Sequence, residues 1–194
     1  MAIEYELKFK ADPQTLDKIQ ATLALPGQTI SMETTYYDTP DGAFSARKWT
    51  LRRRLENEKS VCTFKYPANG FGRGEIEVEK DSLEAAISEL CKLYGSEELG
   101  VLAQAGLVPV CGARFTRTAI VMSFGNAQLE LALDRGVLLG GGRELPLYEV
   151  EAEWKAGETA DVDRFGAYLQ AAFGVQPETR SKFVRARLLA KGEL

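Results

Sequence analysis

Alternation of charged and apolar residues is the feature that most constrains this chain. In Ile3-Glu4-Tyr5-Glu6-Leu7-Lys8-Phe9, Glu4, Glu6 and Lys8 share one parity, and Ile3, Tyr5, Leu7 and Phe9 share the other. Successive side chains of a strand point to opposite faces, so such a segment is amphipathic when extended. The same period of two marks residues 34–39, 47–55, 61–66, 74–80, 115–124, 128–134 and 147–154 as strands. Asp41-Gly42, Asn69-Gly70, Gly125-Asn126 and Gly140-Gly141-Gly142 are turn signals between or beside them. Roughly eight strands with hairpin-length links predict an antiparallel sheet that can close into a barrel.

Helical spacing interrupts the alternation. Asp12 reads as a cap before Pro13, followed by a stripe of Leu16, Ile19 and Leu23. Asp81-Ser82-Leu83-Glu84 predicts a capping box with Asp81 as the cap, and Leu83, Ile87, Leu90 and Tyr94 follow on one face. A short helix over 98–105, another carrying Val162, Phe165, Leu169 and Phe173, and a last over 181–190 complete the set. Neither a repeat nor a linker divides the chain, so residues 1–194 are expected to form one α+β domain.

Composition excludes much. A net charge of −4 argues against a general nucleic-acid or membrane-surface binder, and no apolar run is long enough to span a bilayer. The first residues have no basic start followed by an apolar stretch, which predicts no secretion signal. Cys62, Cys91 and Cys111 have neither disulfide nor metal spacing, and free thiols point to the cytoplasm. Histidine is absent altogether, which removes Ser-His-Asp and Cys-His nucleophile systems and imidazole-ligated zinc. Any chemistry must run on carboxylates, Lys, Arg, Tyr or a bound metal.

One charged strand face normally meets water. Here the charges are also segregated by sign. Arg52 and Arg54 share a face, as do Glu75, Glu77 and Glu79, and again Glu149, Glu151 and Glu153, while Glu130 and Asp134 flank Ala132. Carboxylates two residues apart on a strand lie about 6.6 Å apart. In a water-poor site each pair repels by about 2 kcal/mol. A divalent cation relieves such carboxylates, and a polyanion relieves grouped arginines. Hard cations such as Mg²⁺ take oxygen ligands and bridge carboxylates to phosphates, which Arg forks match in turn. Carboxylates holding metal, cations holding a phosphate chain and helices covering the apolar faces are therefore expected together.

These residues carry a resemblance. Glu4-x-Glu6-x-Lys8, Tyr36-Tyr37-Asp38-Thr39, Leu51-Arg52-Arg53-Arg54, Thr63-Phe64-Lys65, Leu131-Ala132-Leu133-Asp134, Tyr148-Glu149-Val150-Glu151 and Ser181-Lys182 occur in the order found in the CYTH superfamily of triphosphate tunnel metalloenzymes. The chain resembles that superfamily over nearly its whole length. The resemblance implies a closed eight-stranded antiparallel tunnel with flanking helices. It further implies hydrolysis of a triphosphate, inorganic tripolyphosphate being preferred. Class IV adenylyl cyclase, thiamine triphosphatase and non-catalytic triphosphate binding are the alternatives. Glu4, Glu6, Asp134, Glu149 and Glu151 would hold Mg²⁺ or Mn²⁺, with Glu75 or Glu77 at a second metal. Lys8, Arg52, Arg54, Lys65, Arg117 and Lys182 would hold the triphosphate, Arg114 being the alternative to Arg117. Glu4, Glu6 and Lys8 would form the catalytic core. A small-molecule substrate is the expected partner, and barrels of this kind can pair as homodimers.

Other features have simpler uses. Gly70-Phe71-Gly72-Arg73-Gly74 reads as a hairpin loop, because neither a helix nor Gly-Lys-Ser/Thr follows. Trp49 and Trp154 are expected to pack between sheet and helix, Cys62 to face the helices, and Arg53 to point away from Arg52 and Arg54.

Overall fold

A computed structural model describes residues 5–67 and 73–194. The elements run β1 (Glu6–Lys10), α1 (Pro13–Leu23), β2 (Gln28–Asp38), α2 (Ala43–Ala46), β3 (Thr50–Glu56), β4 (Lys59–Pro67) and β5 (Arg73–Glu79). They continue with α3 (Leu83–Tyr94), α4 (Glu98–Ala103), β6 (Val108–Phe124), β7 (Ala127–Gly140) and β8 (Arg143–Gly157). Last come α5 (Thr159–Phe173), β9 (Gln176–Pro177) and α6 (Lys182–Lys191). The expected α+β class and antiparallel pairing are present. The Asn69-Gly70 turn and most of the glycine-rich loop lie outside the described residues.

The expected closed eight-stranded barrel does not form. Among the described residues, nine strands make one open sheet in the order β5-β4-β3-β2-β6-β7-β8-β1-β9, with β5 and β9 at its edges. Hairpin-length links determine which strands are neighbours, but closure depends on tilt and stagger accumulated over the whole sheet. The ninth strand is only two residues long and pairs with Phe9 and Lys10. It is too short to give an alternation signal.

Several elements also have different bounds from those read in the alternation. β2 begins at Gln28, β6 at Val108, and β7 continues to Gly140. Gly112 and Gly136 break the apolar alternation without breaking the ladder, and the register shifts by one residue between Cys111 and Pro109. β3 begins at Thr50, because α2 and a left-handed Lys48 (φ 58°) occupy the preceding residues. The cap of α3 is Ser82, whose hydroxyl accepts from the Ala85 N–H at 3.2 Å, in place of Asp81. Asp12 caps α1 as expected, accepting from Thr15 N–H at 2.8 Å.

Apolar residues of one parity are covered by helices. α1 and α5 bury Leu16, Ile19, Val162 and Phe165 against Phe9, Leu131, Leu133 and Val150. α3 and α4 bury Leu90 and Leu99 against Leu51, Cys62 and Phe64. Trp49 packs edge-on to Phe64 and Tyr94, with centroids 5.1 and 5.9 Å away. Trp154 packs against the first cluster and donates Nε1–H to Gly157 O. All three cysteines are buried and free. No helix among the described residues is long and apolar enough to cross a membrane.

α6 differs, because it lies on the opposite parity. Phe183, Ala186 and Leu189 pack on Tyr36, Leu138 and Leu147, which share a face with Arg52, Asp134 and Glu149. The side that carries the charges is thus sealed over part of its extent by an apolar helix. Gly136 sits beside this contact, and a Cβ there would lie 2.2 Å from Arg114 O and 2.5 Å from Phe115 Cα. Gly136→Ala is expected to destabilise the fold by about 2 kcal/mol through overpacking against backbone. A thermal melt should show the midpoint lowered by about 6 °C.

Candidate functional site

Cross-strand partners share a face of a sheet, so the registers show which side chains converge. Glu75, Glu77, Lys65, Thr63, Arg52 and Arg54 follow one another across β5, β4 and β3. Arg117 pairs with Asp134, Asp134 with Glu149, and Glu151 with Lys8. Glu6 faces Glu153 on the same side. One face of the sheet therefore carries the site residues expected from sequence, with the exception of Glu4, which lies outside the described residues, and of Lys182, which arrives on α6. Arg53 points the other way and donates Nε–H to Ser60 Oγ at 2.8 Å. Arg114 also lies on the outer parity, exposed and 3.3 Å from Glu144, so Arg117 is the arginine of the charged face.

Asp134, Glu149 and Glu151 form the centre. Each offers an oxygen within 4.8 Å of the others, and Asp134 and Glu149 have no solvent exposure. Their compensation comes from three directions. Lys182, the first residue of α6, places Nζ 2.8 Å from Asp134 Oδ2 and 2.7 Å from Glu151 Oε1, and also contacts Glu149 Oε1. Arg117 grips Asp134 in a two-pronged contact, Nε and Nη2 each at 2.8 Å, and Nη2 reaches Glu151 as well. Arg185, one turn after Lys182, contacts Glu149 Oε2. Ser181 caps the helix by accepting from Val184 N–H at 3.2 Å, which places Lys182 at the start of its first turn.

The electrostatics follow from burial and partners. Burial pushes the Glu149 carboxyl up to about 7, with the Glu151 charge adding to it and Lys182 and Arg185 opposing. Burial acts the same way on Glu151, but Lys182 and Arg117 overcome it and hold that carboxyl well below the usual range. Burial disfavours the Lys182 ammonium, yet Asp134, Glu151 and Glu149 raise it above an ordinary lysine.

The other block is built on β3, β4 and β5. Arg52 lies 3.5 Å from Glu75 and 3.3 Å from Glu77, and donates Nε–H to Thr63 Oγ1 at 3.1 Å. Lys65 lies 2.9 Å from Glu75. Arg54 contacts Glu56 and lies 3.9 Å from Glu77, but its Nε is buried without a hydrogen bond. Burial and the neighbouring Arg52 and Arg117 make Arg54 less basic than usual, against Glu56 and Glu77. An anion placed here would relieve both the crowding of like charge and the unpaired donor.

Glu6 and Lys8 pair with each other at 2.5 Å on β1 and are not among the three clustered carboxylates. Glu75 and Glu77 are likewise outside that cluster, engaged with Arg52 and Lys65. Glu153 pairs with Lys155 at 2.8 Å. Arg185 was not apparent from the sequence. The available signal was its place three residues after Lys182, which puts both on one helix face.

The three carboxylates offer oxygen donors only, and a cationic nitrogen already sits among them in contact with each. That donor set fits a hard divalent cation. Lys182→Met should leave the carboxylates without their central charge. It is expected to cost about 3 kcal/mol in urea unfolding with chelator present, as breaking a buried ion pair does. A stability equal to wild type would show that Lys182 is not their main compensation.

Comparison with known proteins adds to this geometry. The CYTH domain model matches residues 2–186. An inorganic triphosphatase of Haemophilus influenzae is 31% identical over 97% of this chain and 55% of its own length. A thiamine-triphosphatase of Macaca fascicularis is 29% identical over 77% of this chain and 61% of its own. The chain thus spans a little over half the length of these two relatives. A solved structure of a Hippeastrum protein, described as a candidate adenylyl cyclase that reveals a dominant triphosphatase activity, shares the fold. It has a TM-score of 0.68 at 21% identity, covering 99% of this chain and 97% of the other.

Proposed function

The chain belongs to the CYTH domain family, and from that premise we propose that it is a metal-dependent triphosphatase whose preferred substrate is inorganic tripolyphosphate. Residues 1–194 act as one unit in this reading, which the uninterrupted sheet order supports. The observation that carries the proposal is the juxtaposition on one face of a cation-filled carboxylate nest with a crowded arginine block.

Asp134, Glu149 and Glu151 would hold Mg²⁺ or Mn²⁺, with Glu6 and Glu4 of β1 and the preceding residues adding ligands. When bound, the cation supplies Lewis acidity toward the phosphoryl oxygens. The chain's own residues supply the rest. Arg52, Arg54 and Lys65 take the phosphate chain, Arg54 through the buried Nε–H that has no partner. Arg117 on β6 lies between the two blocks in the sheet order, Lys182 sits within the nest, and Lys8 on β1 lies beside it. Their donors face the charge that redistributes as the terminal phosphoryl group leaves. Water is kept from the far side of the nest by the apolar contact of α6 with Tyr36, Leu138 and Leu147. A second-metal role for Glu75 or Glu77 would require release of Arg52 and Lys65, and the ion pairs favour those carboxylates as holders of the cations.

Phosphate release from tripolyphosphate, ATP and thiamine triphosphate, each with Mg²⁺, Mn²⁺ or chelator, tests the reading. Chelator-sensitive release that is fastest from tripolyphosphate is the expected result. Cyclic AMP from ATP without orthophosphate would make the chain a cyclase, and metal-dependent binding with no product would make it a binding module. Glu6→Gln is expected to abolish turnover in a folded protein, and retained activity would remove Glu6 from the metal site. Arg54→Ala is expected to raise KM for tripolyphosphate by about 10-fold or more, the loss of one charge-assisted bond. An unchanged KM would place the phosphates elsewhere.

A further inference from the structure

Arg185 is buried and carries a charge into a contact that does not need one for packing. The helix around it docks through Phe183, Ala186 and Leu189 on Tyr36, Leu138 and Leu147. An apolar residue at position 185 would serve that docking at least as well, since a buried ion pair seldom stabilises more than a hydrophobic replacement. The guanidinium has instead a specific target. Its Nη2 contacts Glu149 Oε2, while Lys182 Nζ contacts the other oxygen, Oε1. Two successive turns of one helix thus hold the two oxygens of one carboxylate apart. Glu178, 5% exposed, lies near enough for its charge to act on Arg185, and it is itself tied down by Arg180 N–H at 2.9 Å and Lys10 at 3.4 Å. The Arg185 Nε is buried without a hydrogen bond, so its hold on Glu149 runs through Nη2.

The contacts of the three cations differ in kind. Lys182 touches all three carboxylates from the centre, whereas Arg117 grips Asp134 and Glu151 and Arg185 grips Glu149 alone. A divalent cation held by the three carboxylates would take over the role of the central charge, with the flanking Arg117 and Arg185 contacts lying outside it. We propose that Arg185 is a positioning residue: it pins Glu149 Oε2 so that Oε1 is presented to the metal beside Asp134 and Glu151, and Glu149 serves as a one-oxygen ligand. This rests on the metal-site reading given above. Arg185 contacts neither substrate nor metal, and acts through Glu149.

Outer partners of metal-ligating carboxylates commonly change metal affinity by about 10–100-fold. Mn²⁺ binding to the full chain, without substrate, is the direct readout for wild type, R185M and R185K, with circular dichroism reporting the fold. The expected result is Mn²⁺ bound at least about tenfold more weakly by R185M and about threefold by R185K, which keeps the charge but loses the guanidinium Nη2 that reaches Glu149. In turnover, the Mn²⁺ needed for half-maximal rate should rise in parallel, while KM for tripolyphosphate at saturating Mn²⁺ stays within about twofold. A helix-docking role alone would not separate those two constants. Folded R185M or R185K with wild-type Mn²⁺ affinity would overturn the proposal. If R185M does not fold, R185K decides, and collapse of both variants would assign Arg185 to docking and overturn it equally. Failure of wild type to bind Mn²⁺ is a separate outcome that would overturn the metal site itself.

Discussion

Compensation of three carboxylates that share one small volume is the constraint on which the rest of the structure depends. Asp134 and Glu149 have no access to solvent, so water cannot screen them. Their neutralisation must come from fixed groups, and those groups come from β6 and from α6. The sheet therefore has to present Arg117 beside Asp134, and the C-terminal helix has to enter the charged face with its N-terminus first. Ser181 at the cap and the apolar stripe of Phe183, Ala186 and Leu189 satisfy that requirement together.

The inverted arrangement of the sheet follows. A sheet with charges on one side must find its apolar burial on the other, and α1, α3, α4 and α5 provide it. This frees the charged side to hold two blocks of different character. One is an acidic nest saturated with cations, and the other is an arginine block with a buried donor still open on Arg54.

Much of this was legible in the sequence because parity in a strand is a geometric rule. Glu149 and Glu151 could be assigned to one face from alternation alone, and so could Arg52 and Arg54, with Arg53 opposite, whereas only the family resemblance joined Asp134 to Glu149 and Glu151. What alternation does not encode is distance between elements far apart in sequence. The open edges at β5 and β9 depend on the twist of nine strands acting together. The Lys8 partnership of Glu6, at 2.5 Å, depends on rotamers within β1. Arg185 was hidden for a further reason. A buried arginine in a helix has the same local signature as an exposed one, and only the docking of α6 against β7 and β8 separates them. The reach of β6 and β7 through Gly112 and Gly136 was missed because a residue without a side chain contributes nothing to a pattern of side chains, even where the backbone ladder requires it.

The one-turn placement of Lys182 also has a kinetic side. Asp134 and Glu149 come from adjacent strands of a single hairpin and meet as soon as it closes, a local event on the microsecond scale. The ammonium that neutralises them is 33 residues beyond Glu149 and arrives only when α6 docks. Loop closure over that span makes the compensation by α6 a longer-range event than the pairing of the strands. Arg117 of the neighbouring β6–β7 hairpin can compensate Asp134 and Glu151 locally, whereas Glu149 meets its two cations, Lys182 and Arg185, only through the docking of α6.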